Sequence, residues 1–108
     1  MSDTVMKELV AGLLKSAERK ITEIILSGSA ARGTADSDSD IDVALLVNED
    51  LTAEELDLLS DFIVDMNLKY DTVFSVIDLP NEQYRRSKDT IPFYRNVSRE
   101  GIVLWKAA

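Results

Sequence analysis

Five consecutive apolar residues, Val43 to Val47, follow Asp40-Ile41-Asp42 and set the frame for everything around them. Such a run is far too short to cross a membrane, and IDVALLV (residues 41–47) reads as a mostly buried strand. KITEIILS, residues 20–27, is a second strand, carrying Ile21, Ile24, Ile25 and Leu26 and ending at Gly28. DTVFSVIDL, residues 71–79, is a third, stopped by Pro80-Asn81. Helical patterns fill the intervals. Val5, Leu9, Leu13 and Ala17 recur at helical spacing behind a capping residue at Ser2, Asp3 or Thr4. Thr52 and Glu55 form a capping box that opens the longest helix. Leu56, Leu59, Ile63, Met66 and Tyr70 make its apolar stripe, widened by Phe62 and Leu68. A short helix is expected over residues 82–87, then another capped by Asp89 or Thr90, entered through Pro92 and closed by Gly101. IVLW, residues 102–105, is a last strand or a packed tail. This order predicts the α/β (α+β) class: a small mixed sheet flanked by helices, in one domain over residues 1–108.

Composition excludes several chemistries. With no cysteine there is no disulfide and no thiolate metal site; with no histidine there is no imidazole catalysis or ligation. Any metal must therefore be held by oxygen. A net charge of -8 argues against general nucleic-acid binding, which needs a basic face, but leaves room for a nucleotide held through metal ions. Arg85, Arg86, Lys88, Arg95, Arg99 and Lys106 make the C-terminal third much less acidic than the middle. The start, MSDTVMKELV, lacks the basic-then-apolar layout of a signal peptide, so the cytoplasm is the default compartment and no membrane partner is expected.

The chemistry concentrates in GSAARGTADSDSDID, residues 28–42. A glycine where a strand ends lets backbone N–H groups approach a ligand closely, and Ser29 adds a hydroxyl donor. Gly28-Ser29 is thus a phosphate cradle in outline, or an ordinary turn, which favours the same residues. Asp40 and Asp42 are two apart, about 6.6 to 7 Å between Cα atoms on a strand, and point the same way. Two such carboxylates repel unless a cation sits between them, and a hard divalent ion suits them. Ile41 and Val43 then face the core. A calcium-loop reading of Asp36, Asp38, Asp40 and Asp42 fails, because the positions that need glycine and glutamate hold Ile41 and Val47.

Gly28-Ser29, Ala31-Arg32-Gly33 and Ser39-Asp40-Ile41-Asp42 together resemble the minimal nucleotidyltransferases of the DNA polymerase β superfamily. The resemblance covers nearly the whole chain, since the strand, helix, strand order after the motif also agrees, and PFYRNVSREGIVLW resembles the tail of some members. It implies a nucleotidyltransferase fold. It also implies that Gly28 and Ser29 bind the β- and γ-phosphates of a nucleoside triphosphate, in the first instance ATP. Asp40 and Asp42 would be the catalytic metal ligands, holding Mg²⁺ or Mn²⁺. Arg32 would lie near the phosphates, or pair on the surface with Asp36 or Asp38. The implied reaction is attack of a hydroxyl on the α-phosphate with release of pyrophosphate.

Active members of the family carry a third carboxylate on the strand after the long helix, and Ser75 stands at the place that aligns with it. Asp71 would share its face four residues earlier, while Asp78 would face the other way. Two readings therefore stay open: transfer of a nucleoside monophosphate, AMP above all, to a hydroxyl on a partner protein, or a binding module that keeps the fold without the chemistry. In both, the resemblance implies a small helical HEPN-type partner and an antitoxin role. Transfer to a small molecule is disfavoured because a chain this short has no substrate domain unless a partner supplies one. The nucleotide base and the oligomeric state, including homo-oligomers, are not fixed by the sequence.

Overall fold

In the computed structural model, residues 3–17, 19–28 and 40–107 are described. Four helices and four strands follow in the order α1 (Asp3–Ala17), β1 (Ile21–Ser27), β2 (Ile41–Val47), α2 (Ala53–Tyr70), β3 (Phe74–Pro80), α3 (Asn81–Ser87), α4 (Pro92–Glu100) and β4 (Ile102–Lys106). The strands form one mixed sheet in the order β3-β2-β1-β4; β1 runs antiparallel to β2 and β4, and β2 runs parallel to β3. IVLW is thus a strand rather than a tail. No described helix is long and apolar enough to cross a membrane.

Each face of the sheet has its own core. Ile41, Val43 and Leu45 of β2 join Ile24 and Leu26 of β1, Phe74 of β3, and Leu9, Leu13, Leu59 and Met66 of α1 and α2. Ala44 and Leu46 point the other way, into a cluster with Ile25, Leu79, Tyr84, Tyr94 and Val97 under α3 and α4. Strict alternation would put Ile21 on that second face. A register irregularity between Ile21 and Glu23 restores it to the first, where it is buried. Close approach of α1 to α2 uses Gly12, whose missing Cβ leaves space for the ring of Phe62.

Polar contacts tie these layers together. Thr52 caps α2 by accepting the Glu55 N–H at 3.1 Å, while the Glu55 carboxylate accepts the Thr52 N–H at 2.8 Å. Lys20 donates to that same carboxylate at 2.6 Å, so the turn before β1 is tied to the start of α2. At the other end of α2, the Tyr70 hydroxyl and the Lys69 ammonium donate to Glu8 of α1. Glu23 lies buried in β1 and accepts from Arg85 of α3 at 3.4 Å.

Some expectations need correction. Leu68 is 78% exposed and Leu56 is 40% exposed, so the buried stripe of α2 narrows to Leu59 and Met66, with Phe62, Ile63 and Tyr70 packed beside them. Asp71 does not belong to β3. It caps α2 in the left-handed region, φ 48°, a conformation that Asp tolerates better than most residues. Neither Asp89 nor Thr90 caps α4: Ile91 is the N-cap, without a side-chain hydrogen bond, and the Thr90 hydroxyl turns back to the Ser87 carbonyl. Gly101 does close α4, but with extended backbone. A Cβ there would run into the Val97 carbonyl oxygen and Ile25 Cγ2, so space rather than φ requires glycine.

Gly101→Ala should therefore destabilise the fold by about 1–3 kcal/mol through overpacking against backbone that cannot yield; a shift of the urea midpoint measures it. Hydrogen bonds from Tyr70 and then Lys69 hold the Glu8 carboxyl below its ordinary 4.5. The contribution is complete above that value and is lost as the pH falls through the lowered one. Glu8→Gln should lower the melting temperature at neutral pH and flatten its decline between about pH 5 and pH 3, read by thermal melts across that range.

Candidate functional site

The first strand ends at Ser27 because Gly28 leaves the extended conformation, with φ +72°. That left-handed backbone favours glycine. Gly28 also meets the carboxylate of Asp42 directly: a Cβ built on it would lie 2.6 Å from Asp42 Oδ2. The turn and the second aspartate of the motif, fourteen positions apart in the chain, are therefore neighbours in space.

Strand pairing produces the contact. Ser27 is the Cα partner of Asp42 across the antiparallel β1–β2 pair, and the Ser27 hydroxyl donates to the Asp42 backbone carbonyl at 3.4 Å. On the other side, in the parallel β2–β3 pair, Asp42 is in register with Ser75. Paired residues of adjacent strands present their side chains to one face of the sheet. Ser27, Asp42 and Ser75 thus form a row of hydroxyl, carboxylate and hydroxyl, on the face that carries Ala44 and Leu46 further along β2. Ser27 is buried, while Asp42 and Ser75 are half-buried. Asp40 stands just outside β2 and is exposed; the Ile41 N–H that follows it donates to the Val73 carbonyl at 2.8 Å and fixes the strand entrance. Asp78 registers with Leu45 and belongs to the opposite face, as its position in the strand implies.

Ser29 and Arg32, the other phosphate-site residues expected from the sequence, lie outside the described residues, as do Gly33, Asp36 and Asp38. Ser27 was not anticipated. Its signal is its place directly before Gly28, but only strand pairing puts it beside Asp42.

The donors assembled here are all oxygens, which suits a hard cation such as Mg²⁺ or Mn²⁺. Among the described residues, no three or more acidic side chains group so as to hold a metal, so Asp40 and Asp42 would need further oxygens, such as those of a phosphate, to complete a shell. A separate cavity of about 620 Å³ lies at the other ends of β2 and β3, lined by Val47–Asp50 and by Pro80, Asn81, Glu82, Arg85 and Arg86.

The family model for the nucleotidyltransferase domain matches residues 7–99. The chain belongs to the nucleotidyltransferase domain family. A relative in Methanocaldococcus jannaschii, named "Putative protein adenylyltransferase", is 34% identical over 95% of this chain and 97% of its own length. Among solved structures, a toxin–antitoxin complex with AMP-PNP is similar with a TM-score of 0.66, at 21% identity, over 94% of this chain and 73% of that one. A complex of a tri-AMPylated Shewanella oneidensis HEPN toxin with its MNT antitoxin matches with a TM-score of 0.61, at 20% identity, over 99% and 74%. At these identities the solved structures establish a shared fold, that of the minimal nucleotidyltransferases.

Gly28→Ala should lose about 1–2 kcal/mol from the left-handed backbone alone, and the added methyl should turn the Asp42 carboxylate aside. Urea denaturation measures the first effect. A variant as stable as the parent would show that the turn does not hold the left-handed backbone.

Proposed function

We propose that this nucleotidyltransferase-family chain binds a nucleoside triphosphate, ATP, together with Mg²⁺ or Mn²⁺, and transfers AMP to a hydroxyl on a partner protein. The partner is a small helical HEPN-type toxin, and the chain acts as its antitoxin. The close approach of Gly28 to the Asp42 carboxylate carries the proposal, because it sets the glycine of the proposed phosphate turn beside one of the two proposed cation ligands. The adenylyltransferase name of the M. jannaschii relative and the AMPylated HEPN toxin in the similar complex favour AMP and a protein acceptor.

Each residue has a role in this reading. Gly28 leaves the backbone open to the β- and γ-phosphates, and the hydroxyl of Ser29 would be a donor to them. Asp40 and Asp42 would hold the cation, with Asp42 fixed in place by pairing on both sides of β2. Bound there, the cation would offset phosphate charge and polarise the α-phosphate. The acceptor oxygen bonds to the α-phosphorus as the α–β phosphoanhydride breaks, pyrophosphate departs, the hydroxyl proton passes to solvent, and positioning supplies much of the rate. Ser75 can hydrogen-bond beside Asp42, but its hydroxyl does not accept a proton at neutral pH.

That last property supports a second reading, a module that binds nucleotide and partner but transfers slowly or not at all. The in-register placement of Ser75 against Asp42 favours it. A missing general base typically lowers a rate by about 100- to 10,000-fold.

Incubation of the chain with α-labelled ATP, Mg²⁺ and a HEPN-type partner separates the two. Weak labelling of the partner is expected, increased in Ser75→Asp and abolished in Asp42→Asn. Strong labelling by the unaltered chain would eliminate the binding-module reading, and none in either the parent or Ser75→Asp would eliminate transfer.

A further inference from the structure

The row Ser27–Asp42–Ser75 bears on how many cations the site can take. Asp42 has a hydroxyl neighbour on each adjacent strand, set by the register of both pairings. Ser27 is buried, with its hydroxyl directed at the Asp42 backbone. Ser75 is half-buried at the same level of the sheet. Gly28 closes against the Asp42 carboxylate from the end of β1.

Charge decides what such a row can hold. Asp40 and Asp42 together carry the two negative charges that balance one divalent ion. Two divalent ions side by side repel with four times the energy of two unit charges at the same spacing. A triphosphate brings anionic oxygens of its own, but a second ion that the protein also holds needs a further carboxylate beside the first two. A serine hydroxyl offers lone pairs but no charge, and it is a poor ligand for an ion that gives up its water reluctantly. A carboxylate at Ser75 would stand directly beside that of Asp42, where a second cation could be shared.

We propose that this site takes a single divalent cation, its shell completed by the triphosphate, and that Ser75 is the position that sets the number. The inference rests on the reading of Asp40 and Asp42 as cation ligands. It goes beyond that reading by fixing a stoichiometry and assigning it to one side chain. Ser75→Asp then changes the cation count, which is read with the nucleotide site filled.

Bound Mn²⁺ per chain is counted by electron paramagnetic resonance of the free ion, in the presence of a saturating non-hydrolysable ATP analogue. One ion is expected for the parent and for Ser75→Ala, and two for Ser75→Asp. Two ions in the parent overturn the inference while leaving the Asp40/Asp42 reading intact. One ion in Ser75→Asp, folded by circular dichroism, also overturns it, because Ser75 would then not set the number. No ion in the parent overturns the underlying reading together with the inference. If Ser75→Asp does not fold, Ser75→Glu and the parent count alone keep both outcomes open to refutation.

Discussion

Double pairing of β2 is the constraint on which the rest of the structure depends. This strand is hydrogen-bonded to β1 on one edge and β3 on the other. Its residues Val43 to Val47 are buried on both faces. A slip of one residue would send Ile41, Val43 and Leu45 to the wrong core and turn Asp42 toward α1 and α2. Burial therefore fixes the register, and the register fixes the site. Asp42 lies beside Ser27 and Ser75 because the apolar residues that follow it permit no other alignment.

Acidic groups elsewhere have been given different work. Glu8 meets Tyr70 and Lys69, Glu55 meets Lys20 and Thr52, and Glu23 meets Arg85. Each joins two elements remote in sequence, α1 to α2, the turn before β1 to α2, and β1 to α3. The hydrogen bonds hold the Glu8 and Glu55 carboxyls below the ordinary carboxylate range. A chain with net charge -8 thus converts part of its surplus into fastening, while Asp40 and Asp42 stay at the strand entrance.

Much of this was legible in the sequence, and what was not follows a pattern. The capping box at Thr52, the alternation around Asp42 and the glycine at the end of β1 are signals confined to a few neighbouring residues. They gave the elements and the two halves of the candidate site. Leu68 lies about 180° around the helix from Leu59, so helical geometry puts it on the solvent side although it is apolar. Two features depended on partners far along the chain. Glu23 is buried in β1, and its partner Arg85 lies 62 positions further along the chain. The row across Ser27, Asp42 and Ser75 exists only once three strands have been aligned. Asp71 misled for a local reason: a left-handed cap and a strand entrance both accept aspartate, and the residues nearby do not choose between them.

The mixed sheet has a consequence for how the chain is made. The buried residues of one core lie in α1, β1, β2, α2 and β3, within residues 3–80, with Leu104 and Trp105 of β4 packed against them, whereas the cover on the Asp42 face, α3 and α4, lies within residues 81–100. The last strand then returns to β1, pairing Ile24 with Trp105 across most of the chain length. On a ribosome, the α1–α2 side can consolidate while the opposite face and the outer edge of β1 still wait for residues not yet released. Contacts this distant form slowly, and an unpaired apolar strand is open to the wrong neighbour until its own arrives. The face that carries Asp42 receives its helical cover only after the opposite face has both of its helices.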